Sequence, residues 1–236
     1  MRSPFASNPP GNKTPGLFAG VLIASVVVAL IPTIWTALDL RAAAIFTGPT
    51  AMIHPVHWWW VELINDYVPA LFRVCLGLLW LAWVVALLKP RWRTWRLPLA
   101  FVVIAGILGP GMVVNWVFKE NWQRARPYQV QNFGGRQQFT RAAIITDQCD
   151  NNCSFVSGHV ACGVFLVSLG LVHRRRQRLW AAAGIAAGLV IGFARMADVA
   201  HWLSDVLWAF PITLFTSWLV WKALYGYYCK PSRTEG

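Results

Sequence analysis

Three polar clusters interrupt an otherwise apolar sequence of 236 residues. The first runs Lys119-Glu120-Asn121-Trp122-Gln123-Arg124-Ala125-Arg126-Pro127, the second is Ser157-Gly158-His159, and the third comprises Arg195, His201 and Asp205. Together they bring guanidinium groups, an ammonium, two imidazoles and a carboxylate, and each part suits a phosphoryl group. Arg126 and Arg195 can fork onto phosphate oxygens, and Lys119 adds a point charge. Ser157-Gly158 precedes a helix, so free backbone N–H groups and the helix dipole face any anion held there, and the glycine permits close approach of the backbone. His201 and Asp205 are four apart, which predicts one helix face for both. A carboxylate there can keep one imidazole nitrogen as N–H and leave the other to attack. His159, on another helix, is then available as general acid for the leaving oxygen.

Taken singly, each cluster has a plainer explanation. A helical His/Asp pair is more often a local hydrogen bond than a dyad. Lys119 and Arg126 can simply snorkel at an interface, and Ser157 can be a helix cap. Coincidence favours the functional reading, because ionisable residues at membrane helix ends are costly unless used, and all three clusters fall at span boundaries on one face.

The elements that must position them are membrane helices. Hydrophobic residues make up 57% of the chain and charged residues only 13%, against about 25% charged in a soluble domain. Fifteen tryptophans fit membrane–water interfaces. The net charge of +12 invites a nucleic-acid reading, which is set aside because the basic residues sit in short clusters between apolar runs, as topology signals do. Six candidate runs, the fourth and fifth of them short and Gly-rich, predict an all-α bundle of six transmembrane helices: Leu17–Leu38, Val68–Leu88, Leu97–Phe118, Gly158–His173, Leu179–Ala194 and Trp202–Leu224. The first reads as an uncleaved membrane helix, not a signal peptide. The membrane domain is thus expected over 17–228, with disordered cytoplasmic tails at 1–16 and 229–236.

The basic groups Lys89–Arg96 and His173–Arg178, with Arg2, Lys13, Lys222, Lys230 and Arg233, fall on one side of such a bundle. Every acidic residue but Glu235 falls on the other. The positive-inside rule places both termini in the cytoplasm and the three clusters outside it, in the periplasm of a bacterial inner membrane. Asp39–Tyr67, with His54, His57 and three tryptophans, reads as an amphipathic piece in the headgroup layer. Lys119–Ser157 is the longest polar stretch, and such a loop is more often functional than idle.

The pattern Lys-x6-Arg-Pro, Ser-Gly-His, Arg-x5-His-x3-Asp resembles the type 2 phosphatidic acid phosphatase family, whose superfamily includes vanadium haloperoxidases and glucose-6-phosphatase. The match uses Lys119, Arg126, Pro127, Ser157, Gly158, His159, Arg195, His201 and Asp205. The resemblance implies a phosphohistidine intermediate on His201, no metal and no cofactor. Two positions depart from the family pattern: Val156 stands where proline precedes Ser-Gly-His, and Ala194 where serine precedes the third-motif arginine. Neither removes a catalytic side chain. The stretch Cys153-Ser154-Phe155-Val156-Ser157-Gly158 resembles bacterial lipid A phosphatases.

Other residues admit two readings. Cys149 and Cys153 are expected to form a disulfide outside the cytoplasm; the alternative is two free thiols. Arg124, Arg136 and Arg141 either bind a second phosphate or sugar headgroup or are solvated loop charges. Asp198 is expected to pair with Arg195, and Arg73 faces the bundle or an interface. The expected partner is a membrane lipid phosphate: undecaprenyl pyrophosphate, phosphatidylglycerol phosphate, phosphatidic acid or lipid A. The same residues would serve a lipid-to-lipid phosphotransferase. A lipid or anion transporter should instead show paired broken spans at its midplane. The sequence gives no oligomeric state.

Overall fold

The computed structural model describes residues 13–47 and 58–228. Its regular structure is helical throughout the described residues: α1 Gly16–Ile34, α2 Ala37–Ala44, α3 Trp59–Leu88, α4 Arg96–Gly106, α5 Lys119–Trp122, α6 Gly158–Ser168, α7 Gln177–Ala197 and α8 Leu203–Tyr228. Ile107–Phe118 joins α4 to α5 as a wide π-helical stretch. Asn115 fits that geometry, its side-chain amide donating to the Pro110 carbonyl at 2.6 Å.

Five segments are long and apolar enough to cross a membrane: Gly16–Ile34, Trp59–Leu88, Pro90–Gln129, Arg174–Ala197 and Leu203–Tyr227. The fourth expected span, Gly158–His173, falls short. Its apolar helix ends at Leu171, so its 14 residues rise only about 21 Å, against about 30 Å of hydrocarbon. The first expected span also ends early, at Ile34, before the chain turns into α2. The expected headgroup-layer piece divides. Its residues 48–57, His54 and His57 among them, lie outside the described residues, as do 1–12 and 229–236. Asp39 is instead buried inside the protein, and the tryptophan run opens α3.

The helix α6 tolerates its short length because protein surrounds it. It packs on α7, α8, α3 and the π-helical stretch, and Val160, Ala161, Val164 and Phe165 join the main core. The α6–α7 approach depends on glycine. A Cβ on Gly184 would stand 2.6 Å from the Val167 nitrogen, and one on Gly163 would stand 3.1 Å from the Ala187 backbone. Small residues of this kind let membrane helices pack backbone to backbone. The helix α3, by contrast, exposes Leu63, Leu71, Val74, Leu78 and Leu81. So continuous an apolar face suits lipid, not water.

The helices α1 and α8 run antiparallel: Trp208 Nε1 donates to Thr33 Oγ1 and Trp218 Nε1 to Thr14 Oγ1, at 2.8 and 2.9 Å. At that second end, Arg174 donates to the Lys13 carbonyl and lies over the Trp221 ring. Lys13, Arg174 and Lys222 therefore share one end of the bundle. The three polar clusters sit at the other.

Candidate active site

The chain between α5 and α6 builds the wall of the site. Cys149 and Cys153 are joined as a disulfide with Cα atoms 5.7 Å apart, as expected. Phe155 then stacks on Trp122 and meets Phe118 edge-on, and Val156 is fully buried in the main core. Apolar anchoring thus does at Val156 what the missing proline would do by rigidity. Ala194 lies among Phe46, Val61 and Ala197 in a smaller apolar cluster.

His201 does not share a helix with Asp205. It lies in the turn before α8, which begins at Leu203. Its Nδ1 is 2.8 Å from the Ser154 carbonyl and 3.7 Å from Asp205 Oδ2. A carbonyl can only accept, so Nδ1 carries the proton and Nε2 keeps its lone pair. The group fixing the tautomer is therefore a backbone carbonyl, and the expected carboxylate stands one step back. Asp205 accepts from the Ser154 hydroxyl, from the Trp202 amide at 2.9 Å and from Arg124 at 2.5 Å.

Arg124 is the residue most changed by the structure. Neither a headgroup ligand nor a solvated charge, it is fully buried between Asp205 and Asp39, with Asp39 at 2.8 Å. Phe139 and Trp202 flank its guanidinium. Asp39 also accepts from the Ser204 amide and hydroxyl. Burial raises the Asp39 pKa, opposed by Arg124 and Ser204. This network ties α2 to the start of α8. Sequence reasoning missed Asp39, because its partner lies 85 residues away. By contrast, Arg136 and Arg141 are exposed.

Three cationic residues lie near His201: its amide donates to the Arg195 carbonyl at 3.3 Å, and Lys119 and Arg126 bond Asn152, two residues before Ser154. Burial, then the charges of Arg195, Arg126, Lys119 and His159, hold the His201 pKa well below the ordinary value. Lys119 and Arg195 are buried, and Arg195 pairs with Asp198 at 3.0 Å, as expected. Two donors there are buried without a hydrogen-bond partner among the described residues: Arg195 Nε and the Ser157 hydroxyl. The Ser157 amide is not an anion donor, because it donates to the Asp205 carbonyl at 3.3 Å. The first-turn amides of α6 remain. Gly158 is needed for packing, since a Cβ would lie 2.8 Å from Asn115 Oδ1.

His159 Nε2 lies 2.9 Å from the Asn65 carbonyl of α3. That carbonyl is free because its helical partner would be the N–H of residue 69, which is Pro69. The contact puts the His159 proton on Nε2 and leaves Nδ1 for proton exchange. An interior proline was the available signal, and sequence reasoning did not use it.

Residues 95–228 match the PAP2 superfamily. A lipid A 4'-phosphatase of Francisella tularensis subsp. novicida is 36% identical over 133 residues, covering 56% of this chain and 60% of that protein. One of Rhizobium leguminosarum is 39% identical over 116 residues, covering 48% of this chain and 50% of that one. The match thus spans only half to about three-fifths of these curated relatives. Among solved structures, a PAP2-type phosphatidylglycerolphosphate phosphatase of Bacillus subtilis aligns with a TM-score of 0.48 and 16% identity, over 92% of this chain and 98% of that one. The superfamily match takes in more than half of the sequence and all three polar clusters, so the chain belongs to the PAP2 superfamily.

Proposed function

We propose that the chain is a metal-independent lipid phosphate phosphatase working through a phosphohistidine. The observation that carries the reading is the placing of three cationic residues around a buried imidazole whose tautomer leaves Nε2 free: Lys119 and Arg126 bond Asn152, two residues before the Ser154 that holds His201, and the His201 amide donates to the Arg195 carbonyl. The three cations, the Ser157 hydroxyl and the α6 amides bind the phosphate and stabilise charge spreading over its oxygens. His201 Nε2 attacks phosphorus in line. The N–P bond forms as the bond to the leaving oxygen breaks, and His159, as an imidazolium with a second proton on Nδ1 beside the Nε2 proton held by Asn65, gives that Nδ1 proton to the oxygen; the neutral imidazole then takes a proton back from the attacking water. Water then takes the phosphoryl group and frees His201. Asp205 supports the nucleophile indirectly, by holding Ser154 and Trp202.

The names of the curated relatives make lipid A, a phosphorylated sugar lipid, the leading substrate. The α6 helix serves as a sixth crossing enclosed by protein. The basic end lies in the cytoplasm with both termini, and the site faces the periplasm of the bacterial inner membrane.

Purified protein in detergent should release phosphate from lipid A faster than from undecaprenyl pyrophosphate, phosphatidylglycerol phosphate or phosphatidic acid, with or without EDTA. His201→Ala should abolish release, and His159→Ala should slow it by about 10²–10⁴-fold. Near-normal release by His201→Ala would refute the mechanism.

A further inference from the structure

We infer that Asn152, held by the Cys149–Cys153 disulfide, is a positioning residue for two of the phosphate-binding cations; the inference rests on the phosphatase reading above. Lys119 Nζ donates to Asn152 Oδ1 at 3.1 Å. Arg126 Nε and Nη2 both donate to the Asn152 carbonyl, at 3.2 and 2.7 Å. One residue, 33 positions downstream of Lys119, therefore orients two of the three basic side chains of the first polar cluster.

The position makes three demands at once. Its φ is 48°, in the left-handed region. Asparagine enters that region more readily than most residues with a side chain. A side-chain oxygen must meet the ammonium, and the carbonyl must turn toward the guanidinium. Glycine would satisfy the backbone but offers no oxygen. Aspartate would keep the oxygen but place a negative charge beside the bound phosphate. A neutral amide holds the cations together without cancelling the charge the phosphate needs. It also leaves donors over, because an ammonium has three N–H groups and a guanidinium five.

The disulfide brackets this residue. Cys149 and Cys153 are bonded on either side of it, and the next residue, Ser154, holds His201 through its carbonyl. The bond therefore fixes the cation-orienting residue relative to the nucleophile. Lys and Arg side chains lose much rotamer freedom when ordered, and Asn152 imposes that order before the phosphate arrives.

The test compares wild type, Asn152→Gly, Asn152→Asp and Lys119→Ala in detergent. It reads dephosphorylated lipid by mass spectrometry and inhibition by added inorganic phosphate. Asn152→Gly should weaken phosphate inhibition roughly tenfold and raise KM more than it lowers kcat. Asn152→Asp should weaken inhibition further, although it keeps an oxygen at the same place. Reducing the disulfide in wild type should reproduce the Asn152→Gly pattern and add little in Asn152→Gly itself, as expected for one coupled unit. Wild-type phosphate inhibition in both Asn152 variants, with weakened inhibition in Lys119→Ala, overturns the inference and leaves the phosphatase reading standing. Unchanged inhibition in Lys119→Ala overturns both.

Discussion

His201 shows what a buried imidazole gains from cationic neighbours. An ordinary histidine is half protonated near pH 6.5, and protonation would remove the lone pair that attacks phosphorus. Burial and the surrounding positive charge disfavour a further proton, so the attacking form persists on the acid side. With selectively 15N-labelled histidine, the His201 ring should still report the neutral Nδ1–H tautomer as pH falls from 7 through 6. A midpoint at or above 6.5 would contradict this electrostatic account. The charged members of the site were legible from residue type and spacing, because phosphate needs cations and imidazoles. The Ser154 carbonyl was not, since any residue carries one and only the fold decides where it points. Arg124 was misread for a related reason: an arginine in a polar loop looks solvated until Asp39 is brought to it. Once buried, such a pair is strongly interdependent, and removing one partner costs about 3–5 kcal/mol.

Among the elements, α3 carries a consequence for catalysis. Pro69 withholds an N–H from the Asn65 carbonyl, and His159 uses that carbonyl. Pro69→Ala would supply the missing donor and compete for the bond that orients the imidazole. The expected outcome is a roughly tenfold lower kcat on a lipid phosphomonoester, with little loss on an aryl phosphate whose leaving group needs no proton. Thermal stability should hold or rise, because an interior proline is costly in a helix. Unchanged turnover of the lipid would remove Pro69 from the mechanism. The apolar runs behind α1, α3, α7 and α8 were readable because a spanning helix must be continuous in sequence. The shortness of α6 was readable from its short, Gly-rich run, but its enclosure was not, because hydropathy does not distinguish protein from lipid. The π-helical stretch did leave a sign in the sequence, Gly109-Pro110-Gly111 inside an apolar run, but a proline there marks an interrupted helix without saying which kind.

For the whole molecule, the separation of charge between the two ends predicts an orientation in the membrane. Arg174, Lys13 and Lys222 gather with Trp218 and Trp221 at one end, while Lys119, Arg126 and Arg195 occupy the other. Membrane insertion retains clustered lysine and arginine on the cytoplasmic side. The cations of the site do not compete in that count if they are folded against Asn152, Asp198 and a bound phosphate. The loop carrying Gln137 should therefore lie outside and the start of α7 inside. Single cysteines at Gln137 and Arg178, both exposed positions, test this in a background that keeps Cys149–Cys153 and replaces Cys75, Cys162 and Cys229. In intact spheroplasts, an impermeant maleimide should label Gln137→Cys at once and Arg178→Cys only after lysis. Reversed labelling would put the site in the cytoplasm, where glutathione keeps thiols reduced. It would then remove periplasmic lipids from the candidate substrates and the disulfide from the working enzyme together.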